Sequence, residues 1–498
     1  MKTDLQLLGL LFVCLLAFAI YFRRRGQLRL ADPALLFLGV FLVGTAFKLL
    51  YFVFVRAKRY PSSLHVPVDP VIMGKPESFL VPGMLFITLS VICYCLGLSH
   101  PRALALRAHR APLDPVRLAR ISLIACAVTF SGMLAFLWSL DALAAGDLFS
   151  KRFNDLSGGA AARFFNLHYW SFKLLSSIKY AFYLLLICAL STSSKQPKTK
   201  YLALSATLAL TLATGAIVGN RAHALLLLFD LLLLATLAPH RRRLFLLLSL
   251  FAAALGITLA SWTNIARSSR PADPAEREAY ARRVIATQTT AAEEARRRGG
   301  YESISGERLR RSLWFANIVG PDVANRLDRH ARGRYLLDLF KTAHIVDDVP
   351  GRMAFLRGES LYGWLFVLIP KSVWSAKPRF ADLPAELAAT VFLEPFNNVP
   401  PGLVGEAWLN FGWYGLVVVY IVGAATGLLF NSFQASTADP VLQTLYAMCL
   451  TRVTIIMFNS SFGDGLLKIA IDTLPVLFLV HLLADRSPGA LAAPTRDN

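Results

Sequence analysis

About eleven stretches of this chain are apolar over the length that a bilayer crossing demands, roughly 20 residues of helix. They are Leu5–Phe22, Pro33–Val55, Val81–Leu98, Ile121–Leu140, Tyr169–Leu190, Tyr201–Val218, Ala224–Leu237 extended at either end, Leu244–Trp262, Trp408–Phe430, Leu442–Phe458 and Leu466–Leu483. Only helices and closed barrels satisfy their backbones in lipid, and these runs are far too long for barrel strands. The fold class expected is an all-α polytopic membrane protein with about eleven transmembrane helices.

The chain is 55% hydrophobic and 17% charged, with a mean hydropathy of +0.51. Its net charge of +21 does not point to nucleic acid. In a membrane protein, lysine and arginine in short loops set topology, and that reading absorbs the charge. The first apolar run is followed by Arg23–Arg24–Arg25 rather than by a small-residue cleavage site, so it reads as a span and not as a cleaved signal. All six cysteines lie in apolar runs, which leaves no disulfide framework and no paired-cysteine metal site. No cofactor and no metal are expected.

Basic loops at Arg23–Arg29, Arg102–Arg120, Lys195–Lys200 and Arg241–Arg243 alternate along the chain and are placed in the cytoplasm. The N-terminus then lies outside, and so does the long polar stretch. The expected organisation is transmembrane helices over 1–262, a large outer loop with amphipathic or interfacial helices over 263–405, and further spans with a short tail over 406–498. Within the loop, Ala275–Arg298 suits a surface helix, and Leu361–Leu368, ended by Pro370, suits an interfacial or re-entrant one.

No nucleotide-binding, zinc-hydrolase or serine-hydrolase motif is present, so the candidates are charges placed where charge is expensive. Gly219–Asn220–Arg221 sets a permanent cation at the outer end of a span, suited to a phosphate or to a headgroup. Lys371, Lys377 and Arg379 surround Trp374, which suits an anionic headgroup or an interfacial belt. Glu406 lies in Pro400–Gly412, expected to lead directly into a span. There it reads either as a helix-start acid favoured by the dipole or as a base in partly desolvated surroundings. Arg452 lies deep in its run, with no acid within four residues. Arg152, Arg163 and His168 occupy a short outer loop and suit a cationic lining. Lys48, Lys173, Lys179 and Asp230 are charges in or near apolar runs. Asp464, Lys468 and Asp472, four residues apart, suit a structural pair network.

The order of parts resembles the O-antigen polymerase family of oligosaccharide repeat-unit polymerases. The resemblance rests on the outer-turn Gly219–Asn220–Arg221, one large outer loop, the segment Ile369–Pro378 and the segment Pro400–Gly412 before a span. It implies a metal-independent, membrane-embedded glycosyltransferase of the GT-C type in the bacterial inner membrane, with the large loop in the periplasm. The implied substrates are undecaprenyl-pyrophosphate-linked oligosaccharides, and a chain-length-determinant co-polymerase is an implied partner. Under it Glu406 is the first choice for base, with His344 the runner-up. Arg221, Arg452, Lys371, Lys377, Arg379, Asn410, Arg152 and Arg163 would hold pyrophosphate or glycan. An O-antigen ligase and a flippase for lipid-linked sugars are the rival readings.

Overall fold

The computed structural model describes residues 2–26, 32–54, 77–100, 115–139, 221–237, 339–362, 399–434 and 440–459, together with 202–207 and parts of 181–186, 245–250, 383–391 and 465–476. Among the described residues there is no strand. The helices are α1 (Lys2–Arg25), α2 (Pro33–Phe41), α3 (Phe47–Phe54), α4 (Leu80–Leu98), α5 (Pro115–Ser139), α6 (Arg221–Leu237), α7 (Leu339–Asp348), α8 (Gly402–Phe411), α9 (Gly415–Gln434) and α10 (Pro440–Asn459). A π-helical turn, Leu42–Ala46, joins α2 to α3 without a break.

Four of the described stretches are long and apolar enough to cross a membrane: Lys2–Arg25, Pro33–Tyr51, Leu80–Leu98 and Gly402–Phe433. The expected runs at Ile121–Leu140, Ala224–Leu237 and Leu442–Phe458 fall mostly or wholly on helices α5, α6 and α10. Those at Tyr169–Leu190, Tyr201–Val218, Leu244–Trp262 and Leu466–Leu483 are described only in part, and Ala275–Arg298 lies outside the described residues.

Contacts group the chain into two units, one of Met1–Ala103, Pro271–Asn431 and Arg452–Leu467, the other of Leu104–Arg270, Ser432–Thr451 and Lys468–Asn498. In the second, the Cys126 thiol meets the Thr207 hydroxyl, Gln443 donates to the Leu237 carbonyl, and Phe433 stacks on Tyr446 with centroids 4.2 Å apart.

In the first unit α1 buries Leu7, Leu11, Cys14, Phe18 and Tyr21, a spacing of alternating four and three that keeps one seam against α4. Its opposite face exposes Leu5, Phe12, Leu16 and Ile20. Apolar side chains on both faces suit a helix whose outer solvent is hydrocarbon rather than water. At the end of this seam Asp32 caps α2, accepting from the Ala34 N–H at 2.8 Å and the Tyr21 hydroxyl at 3.3 Å. Burial pushes the Asp32 carboxyl up, against the pull of those donors and of Arg25. Arg25 donates to Asn431 Oδ1 and to the Leu98 carbonyl, so a basic residue read as a topology signal also closes the C-terminus of α4.

Helix α4 is the hub. Its C-terminal half crosses α9 where Gly97, Gly423 and Gly427 leave no room for a Cβ against the facing backbone. Small residues four apart let helix backbones touch, which is how helices gain packing energy without a hydrophobic drive between them. The N-terminal half of α4 receives α7 in the same way. A Cβ on Gly83 would overlap the Ala343 backbone. Phe86 of α4 also packs edge-on against Trp408 and Trp413, with centroids 4.9 and 5.7 Å away.

The run expected as one span, Trp408–Phe430, is two helices. Gly412 ends α8 at φ 56°, a left-handed conformation that suits glycine, and a 3-10 turn over Gly412–Tyr414 leads into α9. The 20 residues of α9 rise about 30 Å, the thickness of the hydrocarbon. Trp413 and Tyr414, 46% and 83% exposed at the joint, suit the headgroup level. Gly83→Val is expected to lower stability by about 1–3 kcal/mol through overpacking of α4 against α7. Thermal unfolding in detergent checks this, and an unchanged midpoint would contradict the close approach.

Candidate functional site

Helix α8 carries Glu406 and Asn410, one turn apart. The prolines at 400 and 401 stop any helix from entering from upstream, and α8 begins at Gly402 with φ 71°. Its first turn therefore ends before Glu406, and no acid lies in it. The reading of Glu406 as a helix-start acid is thereby overturned: its carboxylate lies beyond the terminal N–H groups that would favour it. Glu406 is 0% exposed and Asn410 1%. A carboxylate enclosed so completely is tolerated only where it is hydrogen-bonded or paired.

Part of that matching comes from a turn 46 residues upstream in sequence. The Ser360 hydroxyl donates to Glu406 Oε1 at 2.6 Å, short as expected for a bond to a carboxylate. Asn410 Nδ2 donates to Ser360 Oγ at 2.7 Å and to the Glu406 carbonyl at 2.8 Å. Asn410 Oδ1 accepts the Gly358 N–H at 2.9 Å. The backbone of the same turn is stitched to the end of α8, since Leu356 N–H donates to the Leu409 carbonyl and Arg357 N–H to the Asn410 carbonyl. Both Nδ2 protons of Asn410 are used inside the protein, which leaves it no donor for a substrate. Asn410 thus ties the turn to the end of α8.

The turn itself is strained. Arg357 takes φ 50° and Gly358 φ 93°. A left-handed backbone suits glycine but disfavours arginine, and such outliers persist where surroundings over-determine them. Arg357 is exposed, and Ser360 is partly exposed. The turn thus presents a cation and a hydroxyl at the surface above an enclosed carboxylate.

Helix α7 packs against α8 and against α4. Eight of its ten residues are buried, including Lys341, His344 and Asp348. Lys341 Nζ donates to the Pro400 carbonyl at 2.8 Å, tying α7 to the segment that opens α8. His344 is 0% exposed, its ring 5.0 Å from that of Phe79 and its Nδ1 3.7 Å from Asp348 Oδ2. Asp348 Oδ1 lies 3.4 Å from Arg352 Nε, so three residues spaced by four form one polar row. Trp408 Nε1 closes the α7–α8 contact by donating to the Val349 carbonyl.

The structure thus joins Glu406 to Asn410 and puts His344 on the neighbouring helix. Arg452 belongs to the same unit and is 2% exposed within α10. Arg221 is the first residue of α6, in the other unit. Lys371, Lys377, Arg379, Arg152, Arg163 and His168 lie outside the described residues. Lys48 and Asp230, at 2% and 0% exposure, are enclosed. Sequence reasoning missed Ser360, Arg357 and Lys341. Gly358, between the apolar Ala354–Leu356 and the polar Glu359–Ser360, was a turn signal, but nothing local ties it to α8. No group of three or more potential metal ligands is found among the described residues. Comparison of the chain with family models, with curated proteins and with solved structures gives no match.

Asn410→Ala removes the stitch between turn and helix and leaves the Gly358 N–H without its acceptor. It is expected to lower stability by about 2–3 kcal/mol. Asn410→Asp should do no better, because it lacks the Nδ2 donors and adds a like charge one turn from Glu406. Unfolding midpoints of the purified variants check both, and wild-type midpoints would refute the stitch.

Proposed function

We propose that this protein is a membrane-embedded glycosyltransferase that polymerises undecaprenyl-pyrophosphate-linked oligosaccharide repeats at the periplasmic face of the bacterial inner membrane. The observation that carries this reading is the enclosed Glu406 carboxylate, held at 2.6 Å by the Ser360 hydroxyl, in the helix that precedes a bilayer-length span. A sugar hydroxyl attacking an anomeric carbon gives up a proton, and a fixed carboxylate is the group to take it. The leaving pyrophosphate builds negative charge, which fixed cations stabilise best in a dry site. Arg452, enclosed in α10, is a cation of this kind in the same unit as Glu406, and Arg357 adds an exposed guanidinium on the strained turn. No metal is required by this chemistry. A chain-length-determinant co-polymerase is the partner the reading calls for.

Reconstitution of the purified protein with a lipid-linked repeat unit is expected to yield a ladder of longer glycans without any added acceptor. An O-antigen ligase would need a lipid A-core acceptor, and a flippase would yield no new glycan at all. Glu406→Gln keeps an oxygen to accept from Ser360 but removes the proton sink. It should fold normally and lose about 10²–10⁴-fold in rate. Full activity in this variant would remove Glu406 from the chemistry. A tag at Arg297 should be reached from outside in intact cells, and protection there would reverse the proposed orientation.

A further inference from the structure

A base must touch the proton that it removes, and Glu406 is 0% exposed. Asn410, its partner along α8, is 1% exposed. Ser360 alone of the three hydrogen-bonded side chains is partly open to the outside. Its oxygen has one proton and two lone pairs. The proton is directed to Glu406 Oε1, and one lone pair takes the Asn410 Nδ2–H. The second lone pair is the position left on that oxygen to accept from an incoming hydroxyl.

We propose that Ser360 is a catalytic residue, a proton relay between the acceptor sugar hydroxyl and the enclosed Glu406 carboxylate; this rests on the polymerase reading above. In the step, the acceptor oxygen forms a bond to the anomeric carbon of the lipid-linked glycan. The bond from that carbon to the pyrophosphate oxygen breaks, and undecaprenyl pyrophosphate leaves with the bonding pair. The acceptor's proton passes to Ser360 Oγ as the Ser360 proton passes to Glu406 Oε1. Release of that proton to water resets the pair. Asn410 and the Gly358 N–H keep the hydroxyl aimed, and the strained Arg357–Gly358 backbone sets the turn at the height where Ser360 reaches the carboxylate.

Ser360→Ala in the reconstituted ladder assay is expected to lower kcat about 10²–10⁴-fold with KM for the lipid-linked repeat unchanged. Ser360→Thr, which keeps a hydroxyl on the same carbon, restores most of the rate. The exposed neighbour Glu359→Gln leaves it at the wild-type level. On the wild-type protein under single turnover, two protons moving in one step give a curved dependence of rate on the deuterium fraction of the solvent. Wild-type kcat in Ser360→Ala, or a linear deuterium dependence, overturns the relay and leaves the polymerase reading standing. No glycan ladder from wild-type protein overturns the polymerase reading itself, and the relay with it.

Discussion

A carboxylate enclosed within the protein has no water to turn to, and the described groups that reach Glu406 serve to satisfy it. That need brings the turn at 356–360 back onto α8. It orients Ser360, uses both protons of Asn410, and lines up two backbone N–H groups with the last carbonyls of the helix. The result is a polar cluster more rigid than its size suggests, because removing one member strands the others. The same logic governs α7, where Lys341, His344 and Asp348 find partners along the helix, on Arg352 just beyond it, or on the segment that opens α8.

Packing then determines what the polar groups can reach. Glycines at 83, 97, 423 and 427 let α7 and α9 approach α4 until backbones touch. Such contacts are short-range, and a single added methyl group opens them. With α7 and α9 both seated on α4, α8 is held between a bilayer-length helix and a buried one. Gly412 supplies the bend that allows this, because a straight continuation would carry Glu406 along the axis of the span.

Positional strain concentrates at the turn rather than in the helices. Arg357 in a left-handed conformation is destabilising relative to glycine, and the cluster beneath it holds that conformation in place. Its neighbours Gly358 and Ser360 carry the hydrogen bonds on which the proposed chemistry depends. An exposed cation, a hydroxyl and an enclosed carboxylate follow one another inward over one turn of chain and one turn of helix. This is a suitable order for a reaction that separates a phosphate leaving group from the proton acceptor.

The helical membrane class was legible in the residues alone, and so were Glu406 and Arg452 as charges out of place. The reason is that transfer free energy accumulates residue by residue along a run of about twenty, so a local window reads it. Helix ends were less legible: the true start of α8 at Gly402 and its break at Gly412 moved Glu406 out of the helix-start position that the pattern suggested. The partners of Glu406 were not legible at all. Ser360 and Gly358 lie 46 and 52 residues from the side chains they bind, and no periodicity encodes a contact at that separation. Only tertiary packing, through glycine-sized contacts and a left-handed turn, decides which hydroxyl meets the carboxylate.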